Sequence, residues 1–144
     1  MALINRSAHA VTGKMRAIAR RREGLTHDLK VGQHQLTVDE PQAQGGQDMG
    51  PSPQELLAAS LASCTAVTME MYADRKGWDV DGLEVDCRYT PAERGCPTRF
   101  ELVMKMPAHL SEEQVERLQV IAAKCPVHRT LEGEVAFDER IELS

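Results

Sequence analysis

Apolar and small residues occupy almost every side of the stretch from Gly50 to Trp78, GPSPQELLAASLASCTAVTMEMYADRKGW, and this pattern predicts one long helix. Ser52 marks its start as an N-cap, with Pro53 at the first helical position and Glu55 three residues after the cap, as in a capping box. Lys76 and Gly77 supply a basic last turn and a left-handed stop. On a helical wheel Leu57, Leu61, Cys64, Thr68 and Tyr72 form one row, and Ala58, Ala62, Ala66, Met69 and Ala73 form the next. Hardly any polar face remains before Glu70, so the segment must be buried. Ser, Thr and Glu interrupt it too often for a membrane span, which needs about 20 predominantly apolar residues.

The flanking patterns have a shorter period. Residues 10–22 alternate loosely at Met15, Ala17 and Ala19 and predict a first strand, followed by a turn at Glu23-Gly24. Leu25 to Val31 and Gln33 to Val38 predict a hairpin around Gly32, and residues 39–50 a Gly- and Gln-rich loop leading to the helix. Beyond the helix, Val80 to Tyr89 and Phe100 to Met106 predict an antiparallel ribbon. Leu110-Ser111-Glu112-Glu113 opens a second helix with an apolar stripe of Val115, Leu118, Ile121 and Ala122, and Pro126 is expected to end it just after Cys125. The tail from Gly133 to Leu143 alternates Val135, Phe137, Ile141 and Leu143 and predicts a strand that closes the sheet. The order defines an α+β fold in a single domain over residues 1–144. One small sheet cannot cover a helix that is apolar all round, so a homodimer sharing the helix between two sheets is expected.

Composition narrows the partners. A net charge of -5 and a pI near 5.5 argue against nucleic acid, and Arg20-Arg21-Arg22, the basic run, reads as a solvated strand edge. The N-terminal stretch lacks the apolar core and cleavage site of a secretory signal, which points to the cytoplasm. In a reducing compartment the four cysteines, Cys64, Cys87, Cys96 and Cys125, are expected to be free, catalytic or metal-bound rather than a disulfide scaffold.

Cys64 among Ala62, Ser63, Thr65 and Ala66 reads first as a small core residue. Cys125 changes that reading. It begins CPVHRTL beside His128 and Arg129, cations or potential cations that could stabilise a thiolate, and the two thiols together make a redox pair plausible. Cys125 and His128 are also spaced as C-x-x-H, but no second close ligand pair completes a zinc motif. Cys87 on a predicted strand reads as core, and Cys96 in a loop as an incidental exposed thiol.

The two signatures GPSPQELLAASLASCTAVTMEMYADRKGW and IAAKCPVHRTL, at this separation, closely resemble the OsmC/Ohr family of thiol-dependent hydroperoxidases, in particular its OsmC-like redox-protein branch. The resemblance runs from about residue 12 to the end. It implies antiparallel sheets wrapped around a long central helix in an intertwined homodimer, with active sites at the subunit interface. By the same resemblance Cys64 would be the peroxidatic thiolate acting on an organic hydroperoxide and Cys125 the resolving thiol. An external dithiol would reduce the product, without metal or organic cofactor. Leu57, Leu61, Met69 and Met71 are candidate wall residues for the alkyl group. The family also pairs a glutamate ten residues before the reactive cysteine with an N-terminal arginine. Here Gln54 holds that position and Glu55 follows it, nine before Cys64. Arg22 in Arg22-Glu23-Gly24 resembles the family arginine, with Arg16, Arg20 and Arg21 as competitors. The other reading is a catalytically weak OsmC-like protein whose interface cavity binds a small apolar or thiol ligand.

Overall fold

A computed structural model describes residues 13–144, so residues 10–12 of the expected first strand lie outside the described part. The chain divides into two compact units that meet in sequence at Pro53 and Gln54.

The first unit is a three-stranded antiparallel sheet in the order β1 (Ala17–Glu23), β2 (Thr26–Val31), β3 (His34–Val38). Gly24 and Gly32, with φ of +56° and +59°, make the two turns, a backbone region that glycine enters without steric cost. The second turn fixes the register in which Val31 faces His34 and His27 faces Val38. The loop that follows is organised by Asp39, which is almost fully buried. Its carboxylate accepts the Thr26 hydroxyl at 2.8 Å and the N–H groups of Glu40, Gln47 and Met49 at 2.7, 3.3 and 3.2 Å. Burial pushes the Asp39 pKa up, but these hydrogen bonds outweigh it and hold it below the usual carboxylate range. The backbone here turns so tightly that a Cβ on Gly46 or Gly50 would overlap the Glu40 or Thr37 carbonyl.

The second unit holds the long helix, α1 (Pro53–Lys76), followed by the antiparallel ribbon β4 (Glu84–Thr90) and β5 (Arg99–Lys105), then α2 (Glu112–Ala122) and α3 (Pro126–Glu132). Gly77, at φ +70°, ends α1 as its sequence position suggested, with the Trp78 N–H reaching back to the Ala73 carbonyl at 2.8 Å. The strand expected from Val80 begins only at Glu84, because Asp81-Gly82 forms a turn in which the Leu83 N–H bonds to the Val80 carbonyl at 3.0 Å. Ser111 caps α2 with a reciprocal capping box to Gln114.

Two expectations fail in this unit. Pro126 does not end the second helix, which stops at Ala122; it opens a third one. Proline lacks an N–H and has φ preset near the helical value, so it fits the first turn of a helix as readily as it blocks an interior. The tail from Gly133 is not a strand, and Val135, Phe137, Ile141 and Leu143 lie exposed along it. Alternation gives a segment a strand-like surface, but a ladder needs a partner edge, and among the described residues none pairs with it.

The core of the second unit joins Met69, Tyr72 and Ala73 of α1 to Leu118, Ile121 and Ala122 of α2, with Trp78, Val80, Leu83, Met104 and Met106 packed around them. Arg117 Nε donates to the Tyr72 phenol at 2.9 Å, a polar tie between the same two helices. On α1 the buried residues are Leu61, Thr65, Met69, Tyr72 and Ala73, a stripe that runs between the two rows read from the wheel. By length and composition α1 could cross a membrane, yet this stripe packs against protein. Val67 and Met71 on the other side are exposed. Because Leu118 is fully buried in this cluster, Leu118→Ala is expected to lower stability by about 2–5 kcal/mol in denaturant unfolding. A loss well under 1 kcal/mol would contradict the placement of the core.

Candidate active site

The site begins with the short link between α2 and α3. Cys125 takes an extended backbone, φ -64° and ψ 142°, as a residue preceding proline prefers. That conformation makes it the N-cap of α3, and its sulfur does what a serine oxygen does at such a cap, accepting the His128 N–H at 3.2 Å. Cys125 is fully buried.

Across from it, α1 presents Cys64, half-buried, and the two cysteines come within 3.5 Å of each other. This is contact distance and not a bond, which would be about 2.05 Å, and both thiols are free. The same turn of α3 also bears on Cys64, because the main chain at Val127 favours its thiolate. Two threonines complete the surroundings. Thr68 lies one helical turn beyond Cys64 on α1. Thr65, fully buried, places its hydroxyl 3.9 Å from the Cys125 sulfur and 2.8 Å from the Leu61 carbonyl.

The electrostatics of Cys64 follow from these neighbours. Burial pushes its thiol pKa up, the Val127 N–H and the Thr68 hydroxyl pull it down, and the proximity of Cys125 adds to the upward push; the net result is a raised value. The cations that the sequence placed beside Cys125 act differently from expectation. His128 directs its ring away from the sulfur: Nδ1 lies 2.9 Å from the Ala123 carbonyl and Nε2 3.0 Å from Glu132. It is the main-chain N–H of His128 that reaches Cys125. Arg129 is exposed on α3.

Glu55 sits in the exposed first turn of α1. Because the helix runs unbroken from Pro53 to Lys76, nine residues place Glu55 about 13 Å along the axis from Cys64 and on another face. Arg22, in the first unit, bonds to Asp28 through Nε and Nη2 and to the Thr37 hydroxyl at 3.0 Å. The hydrogen bond and charge of Asp28 raise the Arg22 pKa further, and Arg22 in turn lowers that of Asp28. Arg21 donates to the Gly24 carbonyl at 3.0 Å, while Arg16 and Arg20 are exposed. Cys87 lies half-buried on β4, its thiol pKa raised by burial and by Asp86, and Cys96 is exposed in the loop before β5. Among the described residues no cluster of three or more His, Cys, Asp or Glu side chains could hold a metal.

The same unit holds a cavity of about 510 Å³ whose wall mixes Leu57, Leu61, Phe100, Leu102 and Leu131 with Thr98, His128 and Glu132; it is reached from the cysteines through Leu61 on α1 and His128 on α3, and neither cysteine lines it. Tyr89 and Phe100, neighbours across the ribbon, stack with ring centroids 4.8 Å apart and form its flat side. Of the four wall residues expected from sequence, Leu57 and Leu61 line this cavity. Met69 belongs to the core and Met71 is exposed. Sequence reasoning missed Thr68 and Val127. Thr68 shares a helical row with Cys64, and that i, i+4 spacing is the available signal.

A dithiol between a long central helix and a proline-initiated turn, in an α+β scaffold with antiparallel sheets, defines the class of fold. The chain belongs to the OsmC family: the family model described as OsmC-like protein matches residues 45–140. Solved structures agree. An OsmC-like protein from Mycoplasma pneumoniae superposes with a TM-score of 0.72 at 22% identity, covering 85% of this chain and 89% of that one. The organic hydroperoxide resistance protein OsmC from Legionella pneumophila gives 0.63 at 18% identity, covering 85% and 91%. The organic hydroperoxide resistance protein OhrB of Bacillus subtilis gives 0.58 at 22% identity, covering 84% and 92%. At these identities the likeness is one of fold. A search of curated proteins found no match.

The raised pKa of Cys64 has a sign that can be checked. A thiol whose pKa is raised stays protonated through neutral pH, so its alkylation by iodoacetamide, followed by peptide mass spectrometry, should keep climbing with pH after a free thiol such as N-acetylcysteine has levelled off. A Cys64 rate already at its plateau near pH 7 would contradict this.

Proposed function

We propose that this protein is a thiol-dependent peroxidase that reduces organic hydroperoxides through Cys64 and Cys125. The observation that carries the reading is the approach of the two cysteines to 3.5 Å. In the first step the Cys64 thiolate attacks the terminal oxygen of the hydroperoxide; the O–O bond breaks, the alkoxide takes a proton and leaves as an alcohol, and Cys64 becomes a sulfenic acid. In the second step Cys125 attacks that sulfur, the hydroxyl leaves as water, and the intramolecular disulfide forms. Closing from 3.5 Å to a bond of about 2.05 Å asks for a local movement only. An external dithiol then returns both sulfurs to the reduced state. No metal or organic cofactor enters this scheme. The leucines and the Tyr89–Phe100 stack favour the organic part of an alkyl or aryl hydroperoxide over hydrogen peroxide.

The working unit of this proposal is a homodimer in the cytoplasm. Four free cysteines suit a reducing compartment. Val67 and Met71 on α1, and the alternating Phe137, Ile141 and Leu143 of the tail, at 80%, 89% and 96% exposure, offer apolar surface of a kind that a second copy of the chain would cover. The roles of Glu55 and Arg22 as aids to the Cys64 thiolate belong to the same proposal.

A second reading has a specific observation in its favour. The raised thiol pKa of Cys64 lowers the thiolate fraction at neutral pH, as expected of a catalytically weak OsmC-like protein that binds a small apolar or thiol ligand. Cumene hydroperoxide separates the two. Thiol loss faster than that of free cysteine by about 100-fold or more, abolished in Cys64→Ser, is expected of the peroxidase. Loss no faster than free cysteine favours the binder.

A further inference from the structure

We infer that the external dithiol enters the oxidised site at the Cys64 sulfur, and that Cys125 is the thiolate it displaces. This rests on the peroxidase reading and gives the two cysteines distinct parts in the reductive half of the cycle. A thiolate attacks a disulfide in line with the bond it breaks, so it must reach the attacked sulfur from the side away from that sulfur's partner. Cys125 offers no open side. It is fully buried, with the His128 N–H 3.2 Å and the buried Thr65 hydroxyl 3.9 Å from its sulfur. Cys64 is partly exposed on α1, next to the exposed Ser63.

The leaving sulfur points the same way. Exchange is faster when the departing thiolate is stabilised, and a hydrogen bond to a charged acceptor is stronger than one to a neutral acceptor. The His128 N–H that reaches Cys125 is main chain, held in place by α3, and it is ready to receive the charge. Thr65 donates to the Leu61 carbonyl at 2.8 Å in the reduced protein, and its hydroxyl has only to turn about the Cβ–Oγ bond to face a charged sulfur. In the exchange a bond forms between the reductant and Cys64, the Cys64–Cys125 bond breaks, and its electron pair passes to Cys125, which takes up a proton. The second thiol of the reductant then attacks its own sulfur in the mixed disulfide; the reductant closes to a cyclic disulfide, and Cys64 leaves as a thiolate. Cys125 is thus the nucleophile when the disulfide forms and the leaving group when it is reduced.

The experiment locates mixed disulfides between the full chain and glutathione by peptide mass spectrometry after acid quenching. Wild type oxidised with diamide and treated briefly with glutathione is expected to carry the adduct on Cys64, in excess of any on Cys125 by about tenfold or more, with Cys125 recovered as the free thiol. Cys125 lies 3.5 Å from Cys64 and can close the bond again, which keeps this adduct scarce, so single variants supply a second measurement. Exposed to glutathione disulfide, Cys64 in Cys125→Ser should be modified, while Cys125 in Cys64→Ser should stay free until the chain is unfolded in denaturant. Circular dichroism checks that each variant is folded, and Cys64→Ala stands in should the serine variant fail to fold. An adduct on Cys125 in the oxidised wild type, or equal modification of the two cysteines in folded variants, would overturn the assignment. These reactions use no peroxide, so that failure is distinct from failure of the peroxidase reading, which would appear as a wild type inert to cumene hydroperoxide.

Discussion

The main-chain N–H of His128 reaches the sulfur of Cys125, and the arrangement of the site depends on the turn that carries it being in place. Its position is fixed from both sides. On one side Leu118, Ile121 and Ala122 of α2 pack into the core against Met69, Tyr72 and Ala73 of α1, so the end of α2 cannot move far along the long helix. On the other side Cys125-Pro126 restricts the backbone between α2 and α3 to an extended residue followed by a helical one. A cysteine thus becomes an N-cap within reach of a second cysteine on another helix.

The chemistry this turn supports differs from that of an exposed thiol. Burial alone would leave Cys64 inert, and main-chain and threonine donors offset part of that cost without adding a full charge to the pocket. A cation fixed at the sulfur would act more strongly. The His128 ring, held between the Ala123 carbonyl and Glu132, does not take that place.

Much of this architecture was legible in the chain because its signals were local. Ser111 with Gln114, Gly32 in the hairpin and Gly77 after the long helix each determine backbone geometry through their own chemistry, and each lies where its pattern placed it. The errors came from signals with two meanings. Pro126 can stop a helix or start one, and only the packing of α2 settles which. Val135, Phe137, Ile141 and Leu143 alternate as a strand does, yet a strand exists through its partner, and no edge among the described residues pairs with them. The two cysteines were legible as a pair through a family resemblance and not through spacing. The N–H donor of His128 was invisible, because every non-proline residue carries one and sequence does not say where it points.

The account depends most on Cys64 and Cys125 meeting in one chain, and non-reducing peptide mapping after one equivalent of an organic hydroperoxide tests this most directly. The expected product is a single cross-linked pair of peptides, one with Cys64 and one with Cys125, alongside reduced Cys87 and Cys96. Recovery of oxidised Cys64 with Cys125 still a free thiol, or a bridge to Cys87 or Cys96, would contradict it.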